Sequence, residues 1–225
     1  MKPLVATLVA LSLFALPTVS LTASPKLFDS VKALAIPTAT VKAIYDANGK
    51  LKQMQVVPDL TNICTVSSIN HKQRLWLTAY HCVSDQSLKY FISGEQAILI
   101  MGDEANDLAI LQTLTVVAPA LKLSKKAPKV EDRVKMAGHP FGWIMPTLSV
   151  GMVMSVSNQF ETEGPYARPF MILAVDGAPG NSGSAVVNSK DEIISVCQIA
   201  WSRTFAGVMG GVTFDSLVKY RSYWN

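Results

Sequence analysis

From Val41 to Phe214 the chain is a succession of short apolar and β-branched runs, each closed off by Gly, Pro, Asn, Asp or Ser. Runs of this length with such punctuation read as strands, and their regular recurrence reads as a β-sandwich or barrel. VKAIY (Val41 to Tyr45) and LKQMQVV (Leu51 to Val57) flank DANGK, and an Asn-Gly between two alternating runs is a strong hairpin signal. CTVSSI, RLWLT, KYFISG, QAILIM and DLAILQ continue the rhythm. It breaks at APALKLSKKAPKVED, where two prolines and a lysine cluster replace the large apolar residues. Strand-like runs then resume with RVKMAG, TLSVGMVMSVS, FMILAV, SAVV, EIISVCQIAW and GVMGGVTF. In DSLVKYRSYW, Leu217, Val218, Tyr220 and Tyr223–Trp224 fall at helical spacing behind Asp215 as a cap.

The reading is an all-β chain of two six-stranded antiparallel barrels with a short C-terminal helix. Its expected divisions are an arm at 24–37, a first barrel at 38–117, a linker at 118–132, a second barrel at 133–214 and a helix at 215–225. Residues 1–23 read as a secretory signal peptide: Lys2, an apolar run from Leu4 to Leu16, then Pro17 and small residues suited to cleavage after Ser20 or Ala23. That run is too short to cross a bilayer comfortably, and the alternative is an uncleaved N-terminal anchor. No stable membrane insertion is expected after signal removal, and the location expected is secreted or periplasmic.

With 49% hydrophobic and 16% charged residues among 225, the chain can bury a core and does not have a disordered composition. Cleavage would remove one basic residue, Lys2, from a formal net charge of +4. Apart from KLSKKAPK the basic residues are scattered, with no aromatic residues interleaved, so no nucleic-acid partner is expected. The three cysteines, Cys64, Cys82 and Cys197, allow at most one intrachain pair. No CxxC occurs and His71, His81 and His139 are far apart in sequence, so neither a metal nor a cofactor is expected.

Serine is a poor nucleophile at neutral pH. It needs a base in hydrogen-bond reach, a carboxylate orienting that base, and donors for the developing oxyanion. His81 in LTAYHCV, just after RLWLT, is the base candidate, and Asp107 in NDLAILQ is the carboxylate. Asp103 and Glu104 read as solvated. Ser182 in GAPGNSGS is the nucleophile, with Gly180 and Gly183 freeing the backbone so that the Gly180 and Ser182 amides can converge on one oxygen. Taken singly, each has a bland alternative: a structural histidine, a strand-edge aspartate, a Gly-Ser turn. They occur together, in the order His, Asp, Ser.

TAYHC, DLAIL and GNSGS resemble the histidine, aspartate and nucleophile motifs of the chymotrypsin-like (trypsin-fold) serine peptidases. The likeness runs from about Val41 to the C-terminal helix, with AGHPFG resembling the turn that opens the second barrel and IAWS the substrate-facing strand edge. The compact form is most similar to secreted bacterial members such as glutamyl endopeptidases and the HtrA protease domain. Only Asp215 to Asn225 follows Phe214, so the PDZ module of typical HtrA proteins is expected to be missing. The resemblance implies a secreted serine endopeptidase in which His81 is base then acid, Asp107 fixes its tautomer and Ser182 forms an acyl-enzyme. It also implies oxyanion donors at Gly180 and Ser182, a Cys64–Cys82 disulfide and protein or peptide substrates; a monomer is expected.

Asn181 stands where members activated by a new N-terminus carry aspartate, so no zymogen switch of that kind is expected. Asp176, six residues before Ser182, matches the base of the primary pocket in trypsin-like members and would favour Arg or Lys; the alternative is that it points elsewhere. Ala200, where glutamyl-specific members have a histidine, argues against glutamyl specificity. Ala200, Trp201 and Ser202 are the other candidate substrate contacts. Cys197 reads as a buried, inert thiol, with an intermolecular disulfide as the sharper alternative. Two competing functions are an inactive binding or adhesion module on the same fold and an α/β-hydrolase esterase. The esterase fails because Ser184 occupies the last glycine of G-x-S-x-G and the triad order differs.

Overall fold

The computed structural model describes residues 24–158, 168–200 and 207–224. The first half forms a closed six-stranded barrel in the order β1-β2-β3-β6-β5-β4. These strands are β1 Val31–Tyr45, β2 Leu51–Asn70, β3 Leu75–Thr78, β4 Tyr90–Ile92, β5 Glu95–Asp103 and β6 Leu108–Gln112. The second half is a seven-stranded sheet in the order β11-β8-β9-β10-β13-β12-β7, and a further β11–β12 pairing brings six of its strands into a ring. Its members are β7 Lys122–Leu123, β8 Arg133–Gly138, β9 Thr147–Asn158, β10 Phe170–Ala174, β11 Ala185–Val187, β12 Glu192–Ala200 and β13 Met209–Val212.

One core lies inside the first barrel around Trp76, Leu34, Val66, Ile92 and Leu111, and includes Cys64 and Cys82. A larger one joins the two halves, packing Leu77, Leu108 and Ile110 against Val134, Met136, Leu173, Val186 and Val196. Burying a side chain of this size contributes about 1.5–3 kcal/mol, so the packing across the two halves is itself a source of stability.

Three expected boundaries differ. Residues 31–37, read as part of an arm, form the start of β1, with Val31 and Leu34 buried. The segment 118–132 is not a bare linker: Leu121 is fully buried, and β7 pairs in parallel with β12 through Lys122–Glu192 and Leu123–Ile193. The terminal helix is one turn, α2 Phe214–Val218, following the N-terminal α1 Pro25–Asp29. Its cap is Thr213, whose hydroxyl accepts from the Ser216 amide, rather than Asp215. A 3-10 turn, Arg221–Trp224, completes the chain.

β1 and β2 are longer than the barrel needs. Beyond Ile36 and Thr61 they run on as a two-stranded ribbon to the DANGK turn, where Asp46 Oδ1 accepts from the Asn48 and Lys50 amides at 2.8 and 3.0 Å. The hairpin read from Asn48-Gly49 is thus present, at the tip of an exposed arm.

Candidate active site

β3 is buried along its whole length and ends at Thr78, after which Tyr80–Cys82 forms one 3-10 turn. A disulfide from Cys82 to Cys64 on β2 pins that turn, closing a loop with a sequence separation of 18. His81 is left half-exposed at the surface end of β3. A ring nitrogen of His81 and both sulfurs lie within 4.8 Å of one another. With both sulfurs in the disulfide, no thiolate is free to hold a metal there.

Asp107 reaches His81 from the turn before β6. Its φ is +52°, a left-handed conformation that aspartate tolerates better than most side chains. The carboxylate is 3% exposed and grips His81 twice: Oδ1 accepts the His81 amide at 2.8 Å, and Oδ2 faces Nδ1 at 2.9 Å. With Nδ1 donating, Nε2 is left free to accept a proton. Asn106 locks the turn from below. Its amide donates to Asp103 Oδ1 at 3.0 Å, its carbonyl accepts from Gln198 at 2.7 Å, and its Oδ1 accepts from Ser216 at 2.6 Å. Asp103, read as solvated, is instead this turn's anchor and accepts from the Tyr220 hydroxyl of the terminal segment. Burial and that bond push the Tyr220 phenol up to about 12.

Sequence reasoning missed Arg168. Its Nη2 donates to Asp107 Oδ2 at 3.0 Å, so one carboxylate oxygen serves both the imidazole and a permanent cation. Nothing in the local sequence marks Arg168, because the contact depends on β10 being laid beside the seam. Cys197 on β12 is buried, as expected, and burial together with the Asp107 charge pushes its thiol up to about 12. Such a thiol stays protonated and unreactive near neutral pH.

The candidate nucleophile loop rises from the second half of the chain and is held by both halves. Ser182 is half-buried; its carbonyl accepts from the Thr65 amide on β2 at 2.9 Å, while the Thr65 hydroxyl donates to the Gly180 carbonyl at 2.8 Å. Gly183 donates to the Cys197 carbonyl at 2.8 Å. Asn181 donates to the Ala178 carbonyl at 3.0 Å, closing a turn with Pro179 second and Gly180 third. Gly180 has φ +96°, the conformation a type II turn demands at that place. A methyl there would meet the His139 carbonyl at 2.4 Å. Among the described residues, neither the Gly180 nor the Ser182 amide donates a backbone hydrogen bond within the chain, and Ser182 Oγ makes none to His81. The Asn181 side chain is buried against Gly138.

His139, read as a turn residue, is buried beside this loop. Its amide donates to the Thr65 hydroxyl at 3.0 Å and its Nδ1 lies 2.8 Å from the Trp143 carbonyl; burial holds its imidazole below the ordinary histidine range. Asp176 is exposed just past β10, with Oδ1 3.5 Å from where a methyl on Gly207 would stand. Ala200 ends β12 opposite Met209, while Trp201 and Ser202 lie outside the described residues.

Two β-barrel-like halves, with a buried carboxylate gripping an imidazole and a glycine-rich serine loop at their seam, form the arrangement expected of a chymotrypsin-like fold. The trypsin-like peptidase domain family matches residues 64–196, more than half of the chain, and the chain belongs to that family. A probable periplasmic DegP-like serine endoprotease of Hahella chejuensis is 33% identical over 122 residues, covering 53% of this chain. Its counterpart in Pseudomonas fluorescens is 31% identical over 123 residues. The chain spans 25% of the length of each of these two relatives.

Among solved structures, the HtrA-type protease AlgW with a decapeptide has TM-score 0.69 at 18% identity, covering 88% of this chain and 64% of its own. Rv3671c from M. tuberculosis H37Rv, as an inactive serine-to-alanine mutant, has TM-score 0.59 at 14% identity, covering 83% of each chain. At such identities the likeness is one of fold. No helix among the described residues is long and apolar enough to cross a membrane.

Proposed function

We propose that this chain is an extracytoplasmic serine endopeptidase acting on protein or peptide substrates through His81, Asp107 and Ser182. The observation that carries the reading is the double grip of a buried Asp107 on His81, which fixes the imidazole with Nδ1 as donor. Nε2 is then the base for the Ser182 hydroxyl, and the contact between them closes when substrate orders the cleft. Ser182 Oγ attacks the carbonyl carbon, its proton passes to His81, and the oxyanion is received by the Gly180 and Ser182 amides. His81 returns the proton to the leaving amine, giving an acyl-enzyme that water, activated by the same base, hydrolyses.

The location rests on the N-terminal leader read from the sequence and on the periplasmic description of the DegP-like relatives. Exposed Asp176 is the candidate for a preference for basic side chains, which a peptide-library cleavage profile reads directly. Ser182→Ala should lower kcat by at least about 10⁴-fold and abolish labelling by a serine-directed phosphonate while leaving the fold intact. Unchanged turnover, or failure of the folded wild-type protein to label, refutes the proposal.

A further inference from the structure

The β1–β2 ribbon has one apolar face. Residues directly opposite in an antiparallel pair share a face, and the register pairs Ala39 with Pro58, Val41 with Val56 and Ala43 with Met54. The alternate pairs, Thr38 with Asp59, Thr40 with Val57, Lys42 with Gln55 and Ile44 with Gln53, make the other face mostly polar, with Val57 and Ile44 its apolar members. Val41 is 58% and Val56 66% exposed, so nothing among the described residues covers the apolar side. The long edges are also open: β1 pairs with β4 only at Leu34 and Ala35, and β2 with β3 only from Ser67 onward.

This face continues into the candidate cleft. Asn62 lies on the same side of β2 as Leu60, Pro58 and Val56, each two residues from the next along the strand. Its Nδ2 donates to the Gly142 carbonyl at 3.1 Å, and a methyl on Gly142 would meet the Asn62 Cβ at 3.4 Å. Gly142 belongs to the turn whose Phe141 amide donates to the Pro179 carbonyl in the nucleophile loop. Phe141, Trp143, Ile144 and Met145 are all exposed there, Ile144 at 86%. The exposed apolar turn thus meets the ribbon at the Asn62–Gly142 contact and is hydrogen-bonded, through Phe141, to the loop that carries Ser182.

We infer that this surface is an exosite for the substrate itself, an extended, apolar-rich segment of unfolded polypeptide lying on the ribbon while its scissile bond sits at Ser182. The inference rests on the peptidase reading above. Continuity favours this occupant: a chain held at the nucleophile loop reaches the ribbon without leaving the surface, and the open edges offer it backbone partners. From Asn62 to Met54 is about 27 Å at ~3.4 Å per residue. A substrate must extend roughly eight residues past the cleft to use it, so a four-residue peptide cannot.

The test compares fluorescein-labelled β-casein, as an unstructured polypeptide, with a four-residue fluorogenic peptide taken from one of its mapped cleavage sites. The variants are Val41→Ser/Val56→Ser and, independently, Met54→Lys, all at exposed positions and checked by circular dichroism. The expected result is a KM for casein raised at least fivefold with kcat unchanged, tetrapeptide kinetics within twofold of wild type, and unchanged phosphonate labelling. On a Ser182→Ala background, where no turnover is needed, both should weaken casein binding by anisotropy at least fivefold. Undiminished casein binding, or equal losses on casein and tetrapeptide, overturns the inference. So does a concentration-dependent dimer that the variants disperse without affecting casein, which would assign the face to a second copy. A wild-type protein that neither cleaves nor labels refutes the peptidase reading, whereas the binding arm reports on the ribbon alone.

Discussion

Replacing Gly180 with alanine should disable the site without unfolding the protein. The methyl would arrive 2.4 Å from the His139 carbonyl oxygen and 2.9 Å from the Phe141 amide nitrogen, both rigid backbone atoms. Holding alanine at φ +96° adds a conformational cost of about 1–2 kcal/mol. The cheapest escape is to rotate the Pro179–Gly180 peptide, which carries the residue-180 amide away from the reacting oxygen. One such donor is worth about 3–4 kcal/mol, so kcat should fall by roughly 10²–10³-fold and phosphonylation of Ser182 should slow in parallel. Stability, read by urea unfolding, should fall by only about 1–3 kcal/mol. Gly49→Ala is the matched control: φ is +76° at the ribbon tip with nothing within 4 Å, so it bears the conformational cost without the collision and should leave kcat unchanged. A Gly180→Ala protein that keeps kcat within about fivefold of wild type would show that the residue-180 amide does not serve the oxyanion.

Two further outcomes are expected. Cys64→Ser/Cys82→Ser should lose about 3 kcal/mol in urea unfolding, the loop-entropy value for a separation of 18, and should leave wild type and variant alike under reductant. His139 is held below its ordinary value by burial, with Lys32 adding to the effect and the Trp143 carbonyl opposing it. Its folded state binds fewer protons than the unfolded chain, so its contribution is present above the unfolded value of ~6.5 and is lost as pH falls through the folded one. The urea midpoint should drop between pH 7.5 and 5, and His139→Gln should flatten that slope; an identical slope in both proteins counts against the assignment.

The strands and the ribbon turn were legible because short alternating runs and Asn-Gly carry local signals. His81 and Asp107 could be picked out because each follows or precedes a recognisable strand, and the fold brings them together. What failed was whatever depends on distant packing. Val31 and Leu34 read as part of an arm because residues 24–37 mix apolar and polar types without a clear strand run, yet Pro37 lies inside β1, paired with Leu60 where the ribbon leaves the barrel. Leu121 was hidden among lysines, although one side chain dipping into the core suffices to pin the crossing. Arg168 and the Asp103–Tyr220 contact join segments far apart in the chain, and no periodicity announces such meetings. Asp215 lost the cap to Thr213 because two capping residues only two positions apart differ in propensity by too little to decide the helix start.

The nucleophile loop belongs by sequence to the second half of the molecule, yet its Gly180 and Ser182 carbonyls are held by Thr65 of the first. The Ala185 amide likewise leans on the Ser67 hydroxyl across the same boundary. The loop that carries Ser182 is thus a keystone shared by two arches, and neither half alone can shape it. Parting the halves by heat, pressure or a wedge in the seam should switch the enzyme off at the moment they separate. Turnover becomes a gauge of how well the halves are joined.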